Sequence, residues 1–268
     1  MRTIVHLSDL HFGALLSPTL DPLVEQVAAI APDLVVVSGD LTQRAQPEQF
    51  EAARAYLKRL PGPQLVIPGN HDVPLYDVFR RFASPLGRYK EYITSDLAPV
   101  FIDEEIAVVG INTARSLTFK GGRIGAAQLA EAVSHFHGLR GTQARIVVTH
   151  HPFDVPEGLD GVEAVGGVER AIAGFAGCQV DAYLSGHIHL VHFASAAQYR
   201  PGYQATLLQA GTATSSRARR ESNSFFVLKV DAEAITCETQ SWNPDLKQFE
   251  LLRSNRFARV SNGKTTVA

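Results

Sequence analysis

The chain has 268 residues and a formal net charge of −2 at pH 7, with 45% hydrophobic and 19% charged residues. This balance is ordinary for a globular protein and excludes wholesale disorder, and the slightly acidic charge argues against a general attraction to nucleic acid or anionic membranes. The two cysteines, Cys178 and Cys237, are far apart and lack the spacing of a metal site, so we interpret them as reduced core residues.

The N-terminal part of the chain alternates apolar strands with amphipathic helices. Strands are predicted at residues 2–7, 34–37 and 64–68, and helices at residues 18–30 and 47–60. Such alternation is typical of parallel βαβ units, whose strands are buried on both faces. In sheets of this kind, ligands gather at the carboxyl ends of the strands.

The pattern continues through the middle of the chain and changes after residue 190. Residues 75–98 mix helix and loop. Further strands are predicted at 99–103, 106–111, 145–149 and 180–184, and further helices at 126–139 and 168–175. Beyond this point the sequence predicts only short strands, at 191–196, 205–210, 224–230 and 234–241.

We predict a single domain over residues 1–253, whose β-rich C-terminal part covers residues 190–253, and a flexible tail over residues 254–268. The N-terminus has the pattern of a strand and not of a signal peptide, and the apolar runs are too short to span a membrane. We therefore expect a cytoplasmic protein. Whether the β-rich part pairs with a second copy to form a homo-oligomer is left open.

Five predicted strand ends carry carboxylate, amide or imidazole groups. These are Asp9 and His11, Asp40, Asn70 with His71 and Asp72, His150 with His151, and His187 with His189. Oxygen and nitrogen donors without thiolate suit Mn, Fe, Zn or Co. The two histidines of the last block, at i and i+2, can serve two adjacent ions, and Asp40 could bridge them. A pair of ions about 3.5–4 Å apart is a common device for phosphoester hydrolysis.

The ordered set of blocks, which spans residues 9 to 189, resembles the calcineurin-like metallophosphoesterase superfamily. The start Leu7-Ser8-Asp9-Leu10-His11, the His-His-Pro at 150–152 and residues 211–217 are similar to its bacterial cyclic-nucleotide phosphodiesterase and glycerophosphodiesterase branch. The resemblance implies an α/β fold, a four-layer αββα sandwich of two facing mixed sheets with flanking helices.

The resemblance also implies a role for each residue of the blocks. One metal would be held by Asp9, His11 and His189, and the other by Asn70, His150 and His187. Asp40 would bridge the two ions, and His71 would be the catalytic residue outside the ligand shell. Mn or Fe is favoured, with Zn or Co as alternatives. The implied enzyme is a metal-dependent phosphoric diester hydrolase, in which a metal-held hydroxide attacks phosphorus in one step.

The expected substrate is a small phosphodiester, either a cyclic nucleotide or a glycerophosphodiester. A DNA exonuclease of the repair type shares the same blocks, but the slightly negative net charge of the chain argues against a nucleic-acid partner. A nucleotide-sugar-lipid pyrophosphohydrolase is a further relative, but the sequence has no evident amphipathic patch for a membrane. A non-catalytic scaffold is disfavoured because all eight site positions are retained. Specificity is assigned to the loops at 75–95, 112–123 and 153–167.

Several polar residues outside these assignments have mainly structural interpretations. His6, His135 and His137 are not at strand ends, and His151 is expected to point away from the ligands if strand alternation persists. Ser8, Ser38 and Asp72 are candidates for orienting the ligands. Contact with substrate is left open for His192, Asn112, Arg44, Arg115, Arg217, Arg219 and Arg220.

Overall fold

The strands form two six-stranded sheets in the computed structural model, which describes residues 1–118, 120–139, 141–159, 161–217 and 221–260. In chain order the strands of these residues are Arg2–Leu7 (β1), Leu34–Ser38 (β2), Gln64–Ile67 (β3), Val100–Ile102 (β4), Ile106–Ile111 (β5), Ala144–Thr149 (β6), Ala182–Ser185 (β7), His192–Ser195 (β8), Thr206–Gln209 (β9), Ser224–Val230 (β10), Ala234–Asn243 (β11) and Gln248–Ala258 (β12). The helices are Leu20–Ile30 (α1), Pro47–Leu57 (α2), Val78–Ala83 (α3), Gly87–Tyr92 (α4), Ala126–Phe136 (α5) and Val168–Gly177 (α6).

Both sheets combine parallel and antiparallel strand pairs. The first sheet has the order β12-β11-β10-β1-β2-β3, in which β1, β2 and β3 are parallel and the other pairs are antiparallel. The second has the order β4-β5-β6-β7-β9-β8, in which the four central strands are parallel. The carboxyl ends of the parallel strands therefore meet along one edge of each sheet.

The consecutive valines of β2 explain how the layers stack. Side chains alternate between the faces of a strand, so Val35 and Val37 pack toward α1 and α2, where they join Leu23 and Phe50 in one apolar core. Val36 points the other way, into a core that lies between the two sheets. Because both faces are covered, the strand can be continuously apolar.

The second sheet mirrors this arrangement. Val147 of β6 packs outward against Leu129 of α5 and Phe175 of α6. Its neighbours Ile146 and Val148 face the first sheet in the central core. Helices, two mixed sheets and helices thus form four layers, which confirms the predicted sandwich.

The last strand, β12, is the main difference from the predicted elements. It pairs with β11 at the edge of the first sheet, and Leu251 and Leu252 on it are exposed. An edge strand needs only one pairing partner and little burial, so it lacks the apolar alternation that would have predicted it. Residues 254–258, which we assign to a flexible tail from the sequence, belong to this strand. Residues 261–268 of the predicted tail lie outside the described residues.

The segment around α3 exposes a group of large apolar side chains. Tyr76 is 77% exposed and Phe79 81% exposed, and Phe82 and Leu117 lie at the surface as well. The sequence gives no sign of this patch, because the same aromatic residues would be expected in a core. Within the part of the chain that the structure covers, no helix is both long and apolar enough to cross a membrane.

Candidate metal centre

The polar strand ends of both sheets meet at one place. Asp9 and His11 follow β1, Asp40 follows β2, Asn70 and His71 follow β3, His150 follows β6, and His187 and His189 follow β7. Nearly all of them are buried, and only His71 and His187 are half-buried. The structure therefore brings together all eight residues that the sequence predicts for the site.

Asp9, His11 and His189 form the first group of donor atoms. Asp9 Oδ1 lies 3.1 Å from His189 Nε2 and 3.5 Å from His11 Nε2. The two imidazole nitrogens are 3.0 Å apart. Three donor atoms thus face one another around a small common volume.

Asn70, His150 and His187 form the second group. His150 Nε2 lies 3.0 Å from Asn70 Oδ1 and 3.2 Å from His187 Nδ1. The other nitrogen of His150, Nδ1, donates to the carbonyl oxygen of Ser38 at 2.8 Å. This bond fixes the tautomer, so in the neutral ring the lone pair of Nε2 points at the Asn70 oxygen.

Asp40 lies between the two groups. Its Oδ2 is 3.6 Å from His11 Nε2 in the first group, and its Oδ1 is 3.4 Å from His150 Nε2 in the second. Gly69 allows this position, because a Cβ atom at Gly69 would lie 2.1 Å from Asp40 Oδ1. The carboxylate can therefore offer one oxygen to each group.

The spacing of these donor atoms fits metal coordination. Ligand atoms 2.0–2.2 Å from a shared ion lie about 3.0 Å apart in an octahedral shell and about 3.4 Å apart in a tetrahedral one. The observed separations run from 3.0 to 3.6 Å. Among the described residues, nothing donates a hydrogen bond to the buried Asp9 Oδ1. A cation would satisfy this oxygen and the facing lone pairs.

Electrostatics in the cluster keep the two central carboxylates charged. Burial alone would raise the pKa of Asp9 and of Asp40, but the neighbouring imidazoles outweigh it and hold both carboxyl pKa values well below their usual range. Burial opposes protonation of His150, yet the Asp40 carboxylate outweighs it and raises the pKa of this imidazole to about 9. Burial lowers the pKa of His187 to about 3. Two charged carboxylates at the centre of the cluster attract cations.

The backbone at the site is locally strained. Five residues of the site have φ angles in the left-handed region, which residues other than glycine rarely adopt. They are Asp9 (55°), His11 (53°), Asp40 (52°), His187 (77°) and His189 (62°). Residues in such conformations persist only where the surroundings hold them, and they concentrate at functional sites. These turns bring the side chains together in the two donor groups.

Hydrogen bonds around the cluster hold the donor side chains in place. Asp9 Oδ2 accepts from Ser8 Oγ at 2.6 Å and from the backbone N–H of His187 at 2.9 Å. The Asp72 carboxylate accepts from the backbone N–H groups of Gly69 and Thr42, which ties the loop of Asn70 to the loop of Asp40. Ser8 and Asp72 thus have the orienting role that the sequence suggests, and Ser38 orients His150 through its carbonyl oxygen while its hydroxyl contacts His6.

His71 stands at the wall of the site and not within either group. Its backbone N–H donates to Asp40 Oδ1 at 2.8 Å, and its Nδ1 donates to the carbonyl oxygen of Gln43 at 2.9 Å. Burial lowers the pKa of His71, against the opposing effect of Asp40. The remaining nitrogen, Nε2, faces the open side of the site, 3.4 Å from Arg217 Nη1.

Two residues are placed differently from the sequence-based expectation. His151 does not point away from the ligands, since its ring centroid lies 4.7 Å from that of His187. The strand ends at Thr149, so strict alternation does not reach it, and His151 Nδ1 contacts Thr113 Oγ1 at 2.8 Å. Asn112 caps the backbone N–H of Ala114 and lines a separate cavity beside α5.

The remaining candidates have mixed outcomes. His6 is buried and bonded to Ser38, which confirms a structural role. His192 contacts Asp154 at 2.8 Å and anchors the loop that follows β6. Arg44 and Arg217 lie beside the site, where the sequence gives no preference for them over other arginines. Arg219 and Arg220 lie outside the described residues.

A cleft of about 270 Å³, here called the metal cleft, opens above the cluster. Its floor contains Asp40, Asn70, His71, His187 and His189. Its walls come from the loop at Lys120–Gly121 and from residues 161–163, which belong to two of the loops that the sequence analysis assigns to specificity.

Comparison with known proteins places this architecture in a family. A family model for calcineurin-like phosphoesterases matches residues 2–191. The glycerophosphodiester phosphodiesterase GpdQ of Enterobacter lignolyticus (strain SCF1) is 39% identical over 83 residues, which cover 28% of this chain and 30% of that protein. A probable cyclic nucleotide phosphodiesterase of Synechococcus sp. (strain ATCC 27144 / PCC 6301 / SAUG 1402/1) is 30% identical over 81 residues, which cover 27% and 32% of the two chains.

A solved structure with the same architecture is that of the purple acid phosphatase PPD1 from yellow lupin (Lupinus luteus) seeds. It aligns with a TM-score of 0.72 at 12% identity, over 96% of this chain and 54% of the lupin chain, and so shows the fold alone. The family match covers more of the chain than the matches to the individual relatives, and it includes every one of the polar strand ends. The chain therefore belongs to the calcineurin-like phosphoesterase family.

Proposed function

We propose that this chain is a binuclear-metal-dependent phosphodiesterase that hydrolyses a small phosphodiester, either a cyclic nucleotide or a glycerophosphodiester. The observation that carries the proposal is the position of Asp40, whose two carboxylate oxygens face two separate groups of donor atoms. The matched relatives support the substrate class, since their names describe a glycerophosphodiester phosphodiesterase and a cyclic nucleotide phosphodiesterase.

The geometry of the two groups supports the ligand sets that the family resemblance implies. Asp9, His11 and His189 would hold one ion, and Asn70, His150 and His187 the other, with Asp40 shared between them. Nitrogen and oxygen donors of this kind suit Mn or Fe, with Zn or Co as alternatives. When bound, such a pair of ions supplies an activated water and neutralises charge on the phosphoryl oxygens.

The chain itself contributes proton handling and positioning. His71 Nδ1 donates to the Gln43 carbonyl, so only the protonated ring, which carries a second proton on Nε2 at the metal cleft, would deliver a proton to the leaving oxygen. The buried Asp72 keeps the loops of Asp40 and Asn70 at a fixed separation through its backbone contacts. The modest volume of the cleft and the net charge of −2 favour a small substrate over duplex DNA.

A turnover panel tests this proposal. The Mn²⁺-loaded protein should hydrolyse bis(p-nitrophenyl) phosphate and either cyclic AMP or a glycerophosphodiester, and it should do so faster than p-nitrophenyl phosphate or linear DNA. Chelation should abolish turnover and added Mn²⁺ should restore it, because the phosphoryl chemistry depends on the ions. Turnover that survives complete chelation, or no turnover of any diester by the metal-loaded protein, would contradict the proposal.

A further inference from the structure

A second cavity adjoins the metal cleft on the side of His71. This cavity, here called the side cavity, has a volume of about 200 Å³ and shares Asn70, His71, Lys120 and Arg217 with the cleft. Its outer wall includes Gln43 and Arg44. Because His71 is the proposed proton donor to the leaving oxygen, the side cavity lies where the leaving group would extend.

Among the described residues, the lining of the side cavity combines Val73 and Leu75 with cationic side chains and contains no carboxylate. The described residues of its wall include Arg44, Lys120 and Arg217, while Asp40 and Glu163 line only the metal cleft. Among the described residues, no carboxylate oxygen lies within 4.0 Å of a side-chain nitrogen of these three cations. Surface arginines elsewhere do form such pairs, namely Arg59 with Asp21, Arg80 with Asp77 and Arg256 with Asp231.

The two guanidinium groups converge on one neutral acceptor. In the amide orientation that satisfies its neighbours, Gln43 Oε1 accepts from Arg44 Nη1 and from Arg217 Nη1, each at 3.2 Å. The backbone N–H of Arg217 donates to Ser215 Oγ at 3.1 Å, and His189 Nδ1 donates to the Arg217 carbonyl at 3.3 Å. The backbone of Arg217 is thus tied to His189 of the metal centre, and Arg217 lines both the metal cleft and the side cavity.

We propose that the side cavity binds an anionic group on the leaving-group side of the substrate. The preferred substrates are then phosphodiesters whose leaving alcohol carries a second phosphate. A phosphate accepts charge-assisted hydrogen bonds from paired guanidinium groups with well-matched geometry. This inference rests on the proposed function and narrows its substrate class.

A matched pair of linear dinucleotides tests the inference, the diadenosine ApA and its 5′-phosphorylated form pApA. Their scissile linkage is the same, and only pApA carries a second phosphate. Hydrolysis adds one water: a P–O bond forms, the bond from phosphorus to O3′ breaks, and the leaving O3′ takes up a proton. From pApA this yields two molecules of 5′-AMP, one of which is the phosphorylated leaving group.

We expect the metal-loaded protein to hydrolyse pApA with a kcat/KM at least ~10-fold above that for ApA, the order of one charge-assisted hydrogen bond. Arg217→Gln and Arg44→Gln should each lower this ratio, and the double variant should bring it close to one. Lys120→Gln, a substitution of an exposed loop residue, should also lower this ratio. Arg54→Gln is the matched control, because Arg54 is an exposed arginine of α2 that lines neither cavity, and it should keep the wild-type ratio.

Three outcomes would overturn the inference: equal kcat/KM for the two dinucleotides, a pApA preference that the variants leave intact, or release of adenosine and pAp, which places the second phosphate on the retained side. The proposed function fails separately. If bis(p-nitrophenyl) phosphate, cyclic AMP and glycerophosphodiesters are all left intact by the metal-loaded protein, the phosphodiesterase assignment is wrong regardless of the dinucleotide ratio.

Discussion

Asp40→Asn should lose more bound metal and more activity than any other single ligand change. The asparagine keeps the size of the side chain but offers one oxygen and one NH₂ group. It therefore cannot present an acceptor oxygen both to the group of His11 and to the group of His150. It also removes the negative charge that holds two cations close together. We expect turnover to fall by at least about 10²–10³-fold, the order found when one preorganised electrostatic group is removed from an active site.

Asp9→Asn is the matched comparison for this prediction. Asp9 Oδ1 lies beside His11 and His189 of the first group, while Asp9 Oδ2 accepts from Ser8 and from the His187 backbone, so the loss of Asp9 should weaken mainly one of the two ions. Metal content measured by elemental analysis, with circular dichroism as a check of folding, separates the two variants. If folded Asp40→Asn protein keeps two ions and normal turnover, Asp40 does not bridge.

His71→Ala should keep both metals and still lose activity. His71 lies outside both donor groups: alanine retains its backbone bond to Asp40, and only the T-shaped contact of its ring with the His11 ring, at 4.9 Å between centroids, is lost among its contacts with the groups. General acid–base catalysis by one side chain typically contributes ~10²–10⁴-fold, and we expect turnover to fall by that order. His137→Ala is a control, because His137 is an exposed histidine far along the chain at the end of α5.

The loss in His71→Ala should depend on the leaving group. A p-nitrophenolate leaves without a proton, whereas an alkoxide such as ribose O3′ needs one. Hydrolysis of cyclic AMP or a glycerophosphodiester should therefore fall further than hydrolysis of bis(p-nitrophenyl) phosphate. Equal losses would assign His71 to stabilising phosphoryl charge, and loss of a metal ion would make it a ligand.

The site could be predicted from the sequence because its parts are local in the chain. Each proposed ligand lies within about four residues of the end of an apolar strand, and parallel strands bring their carboxyl ends to one edge. The same reasoning predicted the alternation of β1, β2 and β3 with helices. It does not depend on side-chain contacts, which is why it succeeded for Asp9, Asp40 and His150.

What the sequence could not predict depends on turns and distant contacts. His151 was placed on the wrong side because the strand ends one residue before His150, where alternation no longer applies. The left-handed φ angles of Asp9 and His187 have no sequence signal, since neither residue is glycine. Arg217 and Arg44 lie far apart in the sequence and are brought together by their hydrogen bonds to Gln43. The strand β12 is an exposed edge strand without an apolar pattern.

Anomalous X-ray scattering from crystals saturated with Mn²⁺ tests the central claim most directly. We predict two peaks about 3.5–4 Å apart, the spacing of two-metal phosphoesterase sites, with Asp40 between them. One peak should lie among Asp9, His11 and His189, and the other among Asn70, His150 and His187. A single peak at saturation, or two peaks that do not share Asp40, would contradict the binuclear account.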